Sequence, residues 1–124
     1  MKYLLILFLG LGIAQSSSAQ AEFDITDQEA FFPGGEVAMR KFVRDNLNYP
    51  EIAIEKEEQG TVYVSFVVEK DGSLSQIKIA RGVSESLDKE AIRLVKKMPN
   101  WIPGEVKAVK VLVRQNLPLN FKLV

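Results

Sequence analysis

Gly60-Thr61-Val62-Tyr63-Val64-Ser65-Phe66-Val67-Val68-Glu69-Lys70-Asp71-Gly72-Ser73 is the stretch that decides the fold. Val62, Val64, Phe66 and Val68 alternate with Thr61, Tyr63, Ser65, Val67 and Glu69, the period of a strand with one face on a core. Gly60 releases the chain into this strand. Lys70-Asp71-Gly72-Ser73 then reads as a hairpin turn, because Asp-Gly tolerates the positive φ angles of a tight reversal. The return strand runs from about Leu74 to Arg81, with Ile77 and Ile79 on one face and Gln76 and Lys78 on the other.

Working outward, the next element is a helix from about Ser86 to Met98. Ser84 and Ser86 are both candidate N-caps, Asp88 and Glu90 lie in the first turn, and Lys96 and Lys97 lie in the last. Leu87, Ala91, Leu94, Val95 and Met98 make its apolar stripe, and Pro99 stops it. Trp101 follows, flanked by Pro99 and by Pro103-Gly104. It reads either as a plug at the end of the core, its N–H finding a partner there, or as a binding-surface aromatic. A third strand begins near Ala108, with Val109, Val111 and Val113 alternating against Lys110, Leu112 and Arg114, and continues to about Leu123. Upstream, Phe32-Pro33-Gly34-Gly35 opens a helix from Glu36 to Leu47, with Met39, Phe42, Val43 and Leu47 as its stripe. Asn48-Tyr49-Pro50 ends it, since a residue before proline avoids the α region. Pro50 can start a short helix through Ile52, Ala53 and Ile54. The fold class is therefore α+β: two layers, a three-stranded and mostly antiparallel sheet, and two helices packed on one face.

The chain has 124 residues, no cysteine, no histidine and a formal net charge of zero. Met1-Lys2, the apolar run Tyr3 to Ala14 and Ser17-Ser18-Ala19 have the layout of a signal peptide, with cleavage expected after Ala19. The apolar run is shorter than the ~20 residues of a spanning helix, and the absence of cysteine excludes a lipoprotein. The expected organisation is a signal peptide at 1–19, a flexible acidic lead-in at 20–31 and one domain at 32–124. Export implies a periplasmic location; the alternative is an uncleaved anchor in the inner membrane facing the periplasm.

Catalysis is poorly supplied. The usual near-neutral acid–base group and a thiol nucleophile are both missing. No serine sits in a nucleophile-elbow context. The carboxylate pairs Glu57-Glu58 and Asp88/Glu90 read as a solvated loop and a helix N-terminus. Asp71-Gly72 lacks the ligand pattern of a calcium loop. No enzyme, metal, cofactor or small-molecule substrate is expected, and the neutral charge balance argues against nucleic acid.

Pro118 is the most suggestive residue. Proline cannot donate to a ladder, so within a sheet it marks an edge, a strand start or a bulge. The third strand is therefore expected at an edge. Lys110, Arg114 and Pro118 read as guards of that edge; the functional reading is addition of a partner strand to it.

In order and spacing these residues resemble the C-terminal domain family of TonB, the energy transducer of Gram-negative envelopes. The shared pattern is Phe32-Pro33-Gly34-Gly35, Tyr49-Pro50, Gly60 with its alternating strand, Asp71-Gly72, Leu87 and Ala91, Met98-Pro99, Trp101 with Pro103-Gly104, and Leu117-Pro118-Leu119-Asn120-Phe121. The resemblance runs from about Phe32 to Leu123. It implies a periplasmic domain that grips an extended segment, the TonB box, near the N-terminus of TonB-dependent outer-membrane receptors. Carried over by position, the recognition edge comprises Val109, Lys110, Val111, Leu112, Val113, Arg114, Gln115 and Asn116. Pro33, Gly34, Gly35, Tyr49, Pro50, Gly60, Asp71, Gly72, Trp101, Pro103, Gly104 and Pro118 are structural positions. The stretch from Gly104 to Val109 is shorter than is usual in the family and lacks a glycine commonly found there. A strand-exchanged dimer is a second expected use of an open edge. The competing readings are a full energy transducer with a retained anchor and, least favoured, an envelope enzyme built on carboxylates.

Overall fold

The computed structural model describes residues 27–124. The signal segment expected at 1–19 and the first part of the lead-in lie outside the described residues. The elements are α1 (Gly35–Asn46), α2 (Glu51–Glu55), β1 (Gly60–Val68), β2 (Leu74–Arg81), α3 (Glu85–Lys96), β3 (Gly104–Val106), β4 (Val109–Val111) and β5 (Val113–Phe121).

The main sheet has the order β2-β1-β5, with both pairs antiparallel. Register follows the alternation of the sequence. Val62, Val64, Phe66 and Val68 stand opposite Leu119, Leu117, Gln115 and Val113. Those four β1 residues are fully buried and form the core with Leu87, Ala91, Leu94 and Val95 of α3. Burying side chains of this size stabilises by about 1.5–3 kcal/mol each. The two-layer α+β architecture with its antiparallel three-stranded sheet is the one the sequence predicts.

Local signals place the ends. Ser84 caps α3, its Oγ accepting from the Leu87 N–H at 3.3 Å. The β1–β2 turn is closed by the Gly72 N–H to the Glu69 carbonyl (2.8 Å) and the Ser73 N–H to Asp71 Oδ1 (2.9 Å). Only Gly72 in this turn has a positive φ, at 91°. The α1 C-terminus is tied to α3 by a charged cluster. Glu90 accepts from the Arg93 guanidinium at 2.6 Å and from the Asn48 N–H at 2.7 Å, while Arg93 also donates to the Asn46 carbonyl at 2.8 Å.

The predicted third strand is divided. Val109–Val111 leaves the main sheet and pairs with β3 in a separate hairpin, and only Val113–Phe121 pairs with β1. The break at Leu112 has a physical cause. β1 turns away after Val68, opposite Val113, so upstream residues must find another partner. The turn between β3 and β4 is Lys107-Ala108, both left-handed, with φ of 52° and 67°. This is how the chain reverses without the glycine expected there. The described part of the lead-in is ordered by pairing: Gln28 and Glu105 exchange two backbone hydrogen bonds at 2.9 Å, and Phe31 exchanges two with Ile102.

Candidate functional site

The two edges of the main sheet differ. β2 carries register irregularities opposite Tyr63/Val64 and Ser65/Val67, and Gln76 has a φ of 51°. Bulges of this kind twist an edge away from further pairing. The β1–β5 register, by contrast, is unbroken from Gly60↔Phe121 to Val68↔Val113. Pro118 stands inside it, opposite Tyr63. A proline leaves a ladder unbroken only where its nitrogen faces away from the neighbouring strand. Backbone groups two residues apart point the same way. The N–H and C=O groups of Arg114, Asn116 and Asn120 therefore face the second edge of β5, and those of Gln115, Leu117 and Leu119 face β1. No described strand pairs with that second edge. The stretch before Pro118 offers an uninterrupted template; at Pro118 the row of donors is broken, to resume only at Asn120.

A groove of about 510 Å³ runs beside this edge. Its β5 side is Gln115 to Asn120, its α1 side carries Met39 and Val43, and Phe31, Phe32 and Trp101 also line it. No residue of α1 is fully buried, although Ala38, Met39, Phe42 and Val43 lean on the core. The helix is a wall rather than part of the centre. Its arginines are matched on the same helix: Arg40 lies 3.0 Å from Glu36, and Arg44 lies 3.7 Å from Asp45. Asp45 also accepts from Lys41 at 2.7 Å, a bond that outweighs burial and, with the Lys41 and Arg44 charges, holds its carboxyl below the usual value.

Trp101 is a plug, 4% exposed, with edge contacts to Phe32 and Phe66 at centroid distances of 6.0 and 5.2 Å. The partner expected for its N–H is missing: among the described residues Trp101 Nε1 is the one buried side-chain polar atom without a hydrogen bond.

The structure distributes the residues expected at the recognition edge over two strands. Val109, Lys110 and Val111 form β4, Leu112 is the break, and Val113, Arg114, Gln115 and Asn116 begin β5. Arg114 does not stand guard at the edge. Its guanidinium crosses the outer face of the sheet to Ser65 Oγ and Gln76 Oε1, both at 3.1 Å, and Ser65 and Val67 are buried there. Gly35 and Pro118 reach the groove; Tyr49 does not. Tyr49 donates its hydroxyl to the Glu58 carbonyl and stacks edge-on with Phe121 at 5.6 Å. Burial, reinforced by the Glu58 charge, pushes its hydroxyl pKa up. Sequence reading missed Met39, Val43 and Phe31 as groove residues. The available signal was the width of the α1 stripe, which serves two surfaces at once.

Among the described residues no group of three or more acids is placed to hold a metal, and no helix is long and apolar enough to cross a membrane. The family model of the Gram-negative bacterial TonB protein C-terminal matches residues 45–123. Two solution structures of the Helicobacter pylori TonB C-terminal domain are similar in fold. The 179–285 domain has a TM-score of 0.55 at 20% identity, covering 91% of this chain and 98% of its own. The 194–285 domain has 0.52 at 22% identity, covering 71% and 95%. No curated protein sequence matches.

Proposed function

The chain belongs to the TonB C-terminal domain family, and from that premise we propose that it is a periplasmic protein-binding domain. It recognises an extended N-terminal segment of a TonB-dependent outer-membrane receptor by adding that segment as a strand to β5, within TonB-dependent transport. One observation supports this reading above others: the second edge of β5 is unpaired among the described residues, regular up to Pro118, and flanked by an apolar groove. Main-chain hydrogen bonds supply affinity in strand addition, and pockets for alternate side chains supply specificity. The recognition residues are Val113, Arg114, Gln115 and Asn116 of β5; Val109, Lys110 and Val111, on the far side of the break at Leu112, stand in the separate β3–β4 hairpin. The reading needs no catalytic group and no cofactor.

Export follows from the signal-like segment at 1–19. Mass spectrometry of the envelope protein tests this: a mature N-terminus at Gln20 supports a soluble periplasmic domain, and retention of Met1 favours an anchored transducer. Titration of receptor N-terminal peptides against isotope-labelled protein tests the binding reading. Amide shifts concentrated in β5 support it; unchanged spectra at millimolar peptide refute it.

A further inference from the structure

Resting on the strand-addition reading, we propose that Met39 and Val43 of α1 form a specificity pocket that takes one uncharged, apolar side chain of the added strand. A strand paired to β5 lies about 4.8 Å from it, and its alternate side chains point to opposite faces. Every second side chain of the partner is thereby directed toward α1. There it meets the groove between the helix and Leu117 and Leu119. Met39 and Val43 are only partly buried, so both have apolar surface left to cover. A methionine wall adapts to the shape of what it receives.

Charge narrows the partner further. Arg40 and Arg44 line the same wall, but each is matched to an acid of α1. An acidic partner side chain would compete with Glu36 or Asp45 and lose its hydration in an apolar groove. A leucine-sized group pays no such desolvation. The row of donors is broken at Pro118, so the ladder is regular only as far as Asn116 and the groove-facing position beside Leu117 dominates. The partner is thus an extended segment with a single large apolar residue directed at α1.

The test uses acetylated threonine heptapeptides with one central leucine, serine or aspartate, titrated against isotope-labelled protein. The leucine peptide is expected to bind about tenfold more tightly than the serine peptide, as burial of one such side chain predicts. It should shift the methyl signals of Met39 and Val43 together with the amides of Arg114 and Asn116. Met39→Ala and Val43→Ala should each lower the ratio of leucine-peptide to serine-peptide affinity, and unchanged amide signals in β1 and β2 separate the pocket from a folding defect. Equal affinities with shifts confined to β5 overturn the pocket and leave strand addition standing. No β5 shift with any peptide overturns both. Shifts at β5 that grow with protein concentration alone assign the edge to a second copy and also overturn the pocket.

Discussion

The backbone N–H of Trp101 donates to the Gly72 carbonyl at 2.8 Å, which fastens the segment after α3 to the β1–β2 turn. Gly72 has a φ of 91°, and a Cβ there would stand 2.2 Å from the Trp101 carbonyl oxygen. Two costs coincide: a left-handed backbone and a backbone collision. Gly72→Ala is expected to lower stability by at least about 2 kcal/mol, read as a reduced midpoint in urea unfolding. The neighbouring Asp71→Ala, which loses two exposed turn bonds, from the Ser73 N–H and the Ser73 hydroxyl, should cost less, about 1 kcal/mol.

Glu90 gives the stability a defined pH dependence. Burial pushes its carboxyl up, but the hydrogen bonds from Arg93 and Asn48 and the charges of Arg93 and Lys97 outweigh that and hold it below the ordinary 4.5. A carboxylate with a lowered folded-state pKa contributes stability that is present above its unfolded value and lost as pH falls through the folded one. Glu90→Gln should therefore destabilise at pH 7, by about 1–2 kcal/mol. The gap between wild type and variant should close as pH falls below 4.5. Urea midpoints of both proteins across that range check it.

Trp101 combines a large buried ring with an unpaired donor. An unsatisfied buried N–H costs about 1–3 kcal/mol, whereas loss of the ring costs about 3–5 kcal/mol. Trp101→Phe is expected to stay within about 1 kcal/mol of wild type, because removing the donor offsets the smaller ring. Trp101→Ala should be severely destabilised. Equal losses in the two variants would show that the indole N–H is not a liability.

The β3–β4 turn stores strain at Lys107 and Ala108. A non-glycine residue in the left-handed region costs about 1 kcal/mol or more. Ala108→Gly is expected to stabilise by about 0.5–1 kcal/mol after allowing for the entropy of glycine in the unfolded chain. Thermal unfolding reads this directly, and peptide affinity at β5 should not change.

Most of the architecture was legible because punctuation residues sit where elements end: Gly60, Asp71-Gly72, Ser84 and Pro99 each mark a boundary within three residues of its observed place. The split of the last strand was not legible. Val109, Val111 and Val113 alternate straight through Leu112, and only the length of β1 dictates where pairing must change. The lead-in escaped for a similar reason. Two bridges, at Gln28 and Phe31, place it beside 102–105 with little apolar periodicity of its own. At the site, Pro118 announced the edge through its missing donor. The groove could not be read, since Met39 and Val43 carry the same pattern whether they face a core or a partner. Arg114 was misjudged as a guard because its sequence position says nothing of the sheet face it crosses.

Amide hydrogen exchange at Arg114 and Asn116 tests strand addition to β5 most directly. Their N–H groups face the unpaired edge, so in the free protein they should exchange rapidly while those of Gln115 and Leu117, bonded to β1, are protected. With a receptor N-terminal peptide at saturation, Arg114 and Asn116 should slow by at least about tenfold, the protection expected of a newly formed ladder bond. Binding that leaves both amides exchanging as in the free protein, or that protects β2 instead, would contradict the account.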